Sequence, residues 1–150
     1  MGAMTLPDSG VLCIDANIAI YTVEKHPSYS AVLRPLWESV AAGSLSVLMS
    51  ELVLLETLVG PYRAGLTQLA SDYETFFTLP GIQLVPVSSD VLRQAARIRA
   101  SVPRLRAPDA IHAASAMLNA SGQLLTNDLG FRSLAGLNVI LLSEISDSES

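Results

Sequence analysis

Asp15, Glu56, Asp109 and Asp128 are the side chains of this sequence best placed to do chemistry together. Asp15 follows Val11-Leu12-Cys13-Ile14 directly and precedes Asn17-Ile18-Ala19-Ile20-Tyr21, so a carboxylate stands where a buried strand hands over to a helix. Open α/β sheets place their ligand crevices at such strand ends, although Asp also favours turns and helix starts with no function attached. Glu56 falls mid-helix, between Leu52 and Val53 going round the helix and beside Val59. Neither a cap nor the helix dipole accounts for an acid there, and an unpaired buried carboxylate costs roughly several kcal/mol or takes up a proton. Glu56 therefore requires a counter-charge. Glu51, in the first turn of the same helix, is ordinary. Asp109 opens a helix, which the macrodipole favours by roughly a few tenths of a kcal/mol, and Asp128 closes a Thr-Asn-Asp turn that loop chemistry alone explains.

Gathered at the strand ends, these acids would repel. Neighbours at about 4–5 Å cost about 4 kcal/mol per pair at an effective dielectric near 20. A divalent cation removes that cost. An all-oxygen donor set, free of thiolate and poor in His, suits Mg²⁺ or Mn²⁺ rather than Zn²⁺. A hydrated cation on carboxylates, in turn, holds a substrate phosphate and activates water for phosphodiester cleavage. The histidines are weaker candidates. His112 shares a polar helix stripe with Ser115 and Asn119, which makes it solvated or a hydrogen-bond partner of Asp109 one turn away. His26 sits in a solvated turn beside Pro27.

The elements that must position these groups follow from hydrophobic patterning. At 150 residues the chain is one domain with a sizeable core. Half of it is hydrophobic (50%) against a charged fraction of 15%, and the mean hydropathy is +0.42. That surplus fills a large core or forms a partner or dimer interface. No apolar run reaches the roughly eighteen residues of a membrane span, because Asp15, Glu51 and Glu56 interrupt the best candidates. The start lacks a basic region ahead of an apolar stretch, so no signal peptide is expected, and Met1-Gly2-Ala3-Met4 reads as an expression scar. Residues 1–10 read as a flexible lead-in, 11–142 as the domain, and 143–150 as an acidic tail carrying Glu144, Asp147 and Glu149. Cys13 stands alone, which excludes an internal disulfide, fits a reducing cytoplasm and suits a core position. The net charge of −5 argues against a simple polyphosphate binder.

Strands are expected at 11–14, 45–48, 82–85, 123–125 and 138–141. Helices are expected at 29–42 with Pro35 imposing a kink or a later start, from Ser50 to about Val59 where Gly60-Pro61 ends it, and over 62–79 with a possible break near Gly65. Leu66, Leu69, Tyr73, Phe76 and Phe77 are the expected inward face of that last stretch. Further helices follow at 90–100, apolar along Val91, Leu92, Ala95 and Ile98, and at 109–120 with Pro108 in its first turn. A short helical turn is expected at 129–134. Strands alternating with helices make a parallel α/β sheet covered on both faces.

Together, Ile14-Asp15-Ala16-Asn17, Glu56 within Leu54-Leu55-Glu56-Thr57-Leu58, Pro108-Asp109-Ala110-Ile111-His112-Ala113-Ala114 and Leu125-Thr126-Asn127-Asp128 resemble the PIN-domain nucleases, above all the VapC-type toxins of bacterial toxin–antitoxin pairs. The likeness spans roughly residues 11–141 in the family's order and with similar gaps. It implies a PIN-like three-layer α/β/α sandwich with a five-stranded parallel sheet, Mg²⁺- or Mn²⁺-dependent endoribonuclease activity on RNA, a homodimer, and a small antitoxin that covers the active site. It assigns Asp15, Glu56, Asp109 and Asp128 as the catalytic and metal-holding quartet, Thr126 as the hydroxyl of a Thr-x-Asp motif, and Asn17 as an aid in orienting Asp15. His112 and Arg106 join these as supporting or substrate-contacting side chains. Arg93, Arg97, Arg99, Arg104 and Arg106 form either an RNA-binding rim or ordinary surface charge, and no aromatic platform for stacking bases is evident. Two rivals remain. A Mg²⁺-dependent phosphatase also uses an Asp after its first strand, but it would want a second Asp where Asn17 stands and a basic residue where only the distant Lys25 is on offer. A non-catalytic PIN-like module that binds RNA or protein would have no reason to keep four acids.

Overall fold

The computed structural model describes residues 5–145. Five strands, β1 (Gly10–Ile14), β2 (Leu45–Ser50), β3 (Ile82–Val85), β4 (Gln123–Thr126) and β5 (Asn138–Leu141), form one parallel sheet in the order β3-β2-β1-β4-β5. The first strand is therefore central. The chain winds outward through β2 and β3, then returns to the other side of β1 for β4 and β5. The register puts Cys13 opposite both Leu48 and Leu124, and Ile14 opposite Leu125. Ligand crevices of open α/β sheets lie where the winding reverses, beyond the carboxyl ends of the two strands involved. Here those strands are β1 and β4: Asp15 stands just beyond β1, and Thr126 closes β4 ahead of Asn127 and Asp128.

Six helices cover the sheet: α1 (Ala16–Val23), α2 (Ser30–Ala41), α3 (Leu52–Ala64), α4 (Thr67–Phe77), α5 (Ser89–Ser101) and α6 (Ala107–Asn119). Side chains alternate across each strand, and the two faces bury separate cores. Leu12, Ile14, Val47, Met49 and Leu125 pack with α1 to α4, where Leu33, Leu36, Tyr73 and Phe77 are buried. Cys13, Leu48 and Leu124 pack on the opposite face against α5 and α6, whose inward residues include Val91, Ile98, Ala110, Ala113 and Ala114. The result is the expected three-layer sandwich. None of the described helices is long and apolar enough to cross a membrane.

Several local expectations change. α3 passes through Gly60-Pro61 and ends four residues later, at Gly65 with φ +69°. Pro61 is buried, so packing outweighs the single lost donor of its ring nitrogen. Ser50 closes β2 yet still starts α3, because its Oγ accepts the Leu52 N–H at 3.1 Å. Pro35 sits inside α2 without delaying its start. The left-handed turn at Gly65 throws Leu66 outward, and Leu92 likewise faces solvent. Glu144, expected in the tail, lies in a 3₁₀ turn (Leu142–Glu144) and pairs with Arg132. The proposed scar at residues 1–4 and the tail acids Asp147 and Glu149 lie outside the described residues. Gly122 makes the entry to β4 possible: φ is +80°, and a Cβ there would stand 2.5 Å from the Gly136 carbonyl oxygen.

Candidate active site

Asp15 takes its place from the backbone around it. It is the N-cap of α1, with Oδ1 accepting the Ile18 N–H at 3.3 Å. Its Oδ2 accepts the Thr126 hydroxyl at 2.5 Å, across the gap between β1 and β4. The Thr126 oxygen in turn accepts the Asp128 N–H at 3.1 Å. Thr126 is wholly buried and Asp15 is only 5% exposed, so one short chain of hydrogen bonds ties both strand ends together in the interior. Burial pushes the Asp15 carboxyl above the usual carboxylate range, and the charge of Glu56 adds to that. The Thr126 hydroxyl, His112 and the Ile18 N–H oppose it. Asn17 makes no hydrogen bond to Asp15 among the described residues and stands exposed at the mouth of the site, so orientation of Asp15 falls to Thr126 and the α1 backbone.

Glu56 finds its partner in the opposite layer. His112 Nε2, on α6, lies 2.6 Å from Glu56 Oε1, on α3, so the two meet over the carboxyl edge of the sheet. The Glu56 side chain is 28% exposed and His112 only 2%. This corrects two expectations: His112 is buried rather than solvated, and it grips Glu56 rather than Asp109. The stripe it shares with Ser115 is polar yet buried, and Ser115 is accommodated there because its Oγ donates to the Ile111 carbonyl at 2.9 Å. Alanines at 110, 113, 114 and 116 surround that stripe, and a helix face padded by small residues can press directly on the sheet. The cue was present in the sequence as the alanines at 110, 113, 114 and 116.

Asp109 is 17% exposed and lies 3.4 Å from the Nε of Arg106, itself 77% exposed. Asp128 is exposed at the start of a 3₁₀ turn, where its Oδ1 accepts the Gly130 N–H at 2.8 Å. All four expected acids, with Asn17, His112 and Arg106, line one cavity of about 330 Å³ above β1 and β4. The other clustered arginines do not reach it. Arg93 pairs with Asp90, Arg97 bonds Gln94, Arg99 bonds the Leu105 carbonyl and Arg104 bonds Ser133. The rim reduces to Arg106. His26 also departs from expectation, since it is half-buried and stacks on Tyr29 with 4.8 Å between ring centres, beside Tyr21. Cys13 is buried in the core as expected, its thiol pushed up by burial and by the nearby Asp15 charge.

Sharing a cavity is not the same as forming a cage. Among the described residues, no three His, Cys, Asp or Glu side chains are close enough to hold an ion between them directly. Each acid has its own anchor: Thr126, His112, Arg106 or the Gly130 N–H. The expected tight cluster of carboxylates is not present among the described residues; each acid is held by its own partner instead. The donor chemistry nevertheless suits a hard divalent cation. Every acid contributes oxygen, and Arg106 and His112 cannot together balance the quartet. A hard divalent cation that keeps part of its water shell needs only one or two direct carboxylates, so a roomy cavity lined by acids fits it better than a closed cage would.

The family model of the PIN domain matches residues 12–137. No curated relative matches the chain by sequence. Among solved structures, a chain of VapBC2 from Rickettsia felis, bound to a DNA fragment from its promoter, superposes with a TM-score of 0.69 at 19% identity, over 87% of this chain and 98% of that one. A chain of DNA-bound VapBC from Salmonella typhimurium gives 0.71 at 18%, covering 89% and 98%. A chain of VapBC-5, from the VapBC family of toxin–antitoxin systems in Mycobacterium tuberculosis, gives 0.58 at 24%, covering 90% and 99%. At such identities the likeness is one of fold.

Proposed function

Because the chain belongs to the PIN domain family, we propose that it is a Mg²⁺- or Mn²⁺-dependent endoribonuclease, the toxin half of a cytoplasmic toxin–antitoxin pair. One observation carries the reading. Asp15 is a buried carboxylate, hydrogen-bonded at the reversal of the sheet, and opens onto a cavity that three further acids line. Burying an acid against its own charge is costly unless a cation answers it. Asp15, Glu56, Asp109 and Asp128 would hold the metal, which when bound supplies a Lewis acid and an activated water. The residues of the chain do the rest. Thr126 fixes Asp15 and the start of the Asp128 turn, His112 fixes Glu56, and Arg106 at the exposed mouth offers positive charge to an incoming phosphate.

The phosphatase alternative loses ground on placement. Asn17 points out at the mouth, and Lys25 lies in the α1–α2 turn away from the cavity. The dimer partner follows from apolar surface. A separate apolar cavity of about 500 Å³, lined by Trp37, Val40, Phe76, Leu79 and Ile82, opens at the amino end of β3, away from the acids, and is not where a segment covering the active site would sit. Leu55, Val59 and Tyr62 form an exposed stripe along α3 that a homodimer would cover. The deciding experiment is cleavage of a mixed RNA pool by the purified chain with Mg²⁺, Mn²⁺ or EDTA, alongside Asp15→Asn. Metal-dependent cuts that vanish in the variant establish the activity. Folded, partner-free protein that binds Mn²⁺ but cuts no RNA in the pool or in total cellular RNA would sink it. Sedimentation of the same sample tests the dimer.

A further inference from the structure

We infer that His112 is a positioning residue: it holds Glu56 at the cavity by donating a hydrogen bond from Nε2, and so fixes an acid of one helical layer to the helix of the other. The inference rests on the nuclease reading of this site and adds to it the means by which the second acid is held.

Exposure separates anchor from anchored. His112 is 2% exposed, on the buried, alanine-rich face of α6, whereas the Glu56 side chain is 28% exposed on a flexible stem. Only the imidazole is fixed by its surroundings. The 2.6 Å distance between Nε2 and Oε1 is that of a strong, charge-assisted hydrogen bond. The tautomer follows from the other ring nitrogen. His112 Nδ1 is buried and has no hydrogen-bond partner among the described residues. With one acceptor in reach, the ring proton belongs on Nε2, and Nδ1 keeps its lone pair.

Chain geometry gives the contact its purpose. His112 follows Asp109 by three residues on α6, so a single helix both presents Asp109 to the cavity and grips Glu56. Thr126 does the equivalent for the other pair, accepting from the Asp128 backbone while donating to Asp15. Each bridge spans one seam: β1 to β4 through a hydroxyl, α3 to α6 through an imidazole. Residues that orient a ligating carboxylate in this way typically matter about 10- to 100-fold in metal affinity or activity.

The test uses the full chain with Mn²⁺ alone as the probe of the acids, and RNA only as a separate arm. His112→Gln places an amide N–H near the position of Nε2, and His112→Leu keeps bulk without a donor. The leucine variant should weaken Mn²⁺ binding, followed by the electron paramagnetic resonance of the free ion, by about 10- to 100-fold and slow single-turnover cleavage alike. The glutamine variant should recover most of both. In a Glu56→Ala background, His112→Leu should add no further loss, as for residues acting through one another. Long-range proton–nitrogen NMR should place the ring proton of the wild-type His112 on Nε2. Unchanged Mn²⁺ affinity in a folded leucine variant, losses that add to those of Glu56→Ala, or a proton on Nδ1 would each overturn the inference. If the leucine variant does not fold, the glutamine variant and the NMR tautomer decide. Wild-type protein that binds Mn²⁺ but cuts no RNA would break the nuclease reading and leave the metal-binding and NMR arms to judge His112.

Discussion

Asp15 and Glu56 face the same cavity but are held there in opposite ways. Asp15 is 5% exposed, its oxygens taken by a backbone N–H three residues on and by a hydroxyl of the adjacent strand. Glu56 hangs from the middle of a helix, 28% exposed, with one side-chain partner 56 positions away. The first arrangement is built into the sheet, since any chain that pairs β1 with β4 in this register brings residues 15 and 126 together. The second depends on two helices in different layers meeting at one point. Rigidity at Asp15 is therefore a by-product of the fold, and rigidity at Glu56 is a separate device that one substitution can remove.

The comparison is broken most severely at Asp15. Asp15→Asn should drop metal-dependent RNA cleavage below about one-hundredth of wild type, the scale of loss when a charge-stabilising group leaves an active site, while circular dichroism shows the fold intact. Cleavage that survives with the fold unchanged would remove Asp15 from the reaction. Thr126→Val comes next. It keeps the shape but deletes a wholly buried hydroxyl, and so leaves both an Asp15 oxygen and the Asp128 N–H without their partners. Urea denaturation should show a loss of about 1–3 kcal/mol, accompanied by slower cleavage. The equivalent loss at the other bridge, in His112→Leu, should spare stability more than activity, because the Glu56 carboxylate it releases can turn to water.

The same contrast governs what was readable beforehand. Asp15, Thr126 and Asp128 are legible because strand ends, caps and tight turns are local: apolar runs stop, and the next residues fall at the sheet edge. The five strands and the three layers follow from the same local periodicity. The His112–Glu56 contact is not local. Helical spacing correctly puts His112 on a stripe with Ser115, but burial of that stripe depends on how closely α6 presses on the sheet. Similarly, Gly60-Pro61 carries a strong stop signal, and only the packing of Pro61 against the rest of the protein overrides it. Arg93, Arg97, Arg99 and Arg104 do not line the cavity for the converse reason: adjacency in sequence says nothing about the partners each finds along α5 or in the loop beyond it.

Metal should widen the difference between wild type and Asp15→Asn into a stability signal. A ligand that binds only the folded state adds about 2.7 kcal/mol at a hundred times its Kd. Saturating Mn²⁺ should thus raise the Tm of the wild-type chain clearly and that of Asp15→Asn much less. Equal shifts in both would place the ion away from Asp15.

The smallest effect sharpens the comparison because its sign is unusual for an active-site loss. Burial raises the Asp15 carboxyl in the folded state above its unfolded value, near 3.9 for a free Asp. Below that value the group is protonated in both states and imposes no penalty. As pH rises through the folded-state value, the unfolded chain releases its proton more readily, and metal-free stability falls. Asn in its place carries no such penalty. In EDTA near pH 7, Asp15→Asn should therefore melt higher than wild type by about 2–4 °C, roughly what 1 kcal/mol is worth in a domain of this size, with the gain shrinking toward pH 4. Glu56→Gln should show almost none of this, because Glu56 is part-exposed and an amide oxygen still accepts from His112. A metal-free Tm that falls at Asp15→Asn, or a gain at Glu56→Gln as large as at Asp15, would mean that the two acids are held alike. The distinction between a sheet-built and a helix-built anchor would then fail.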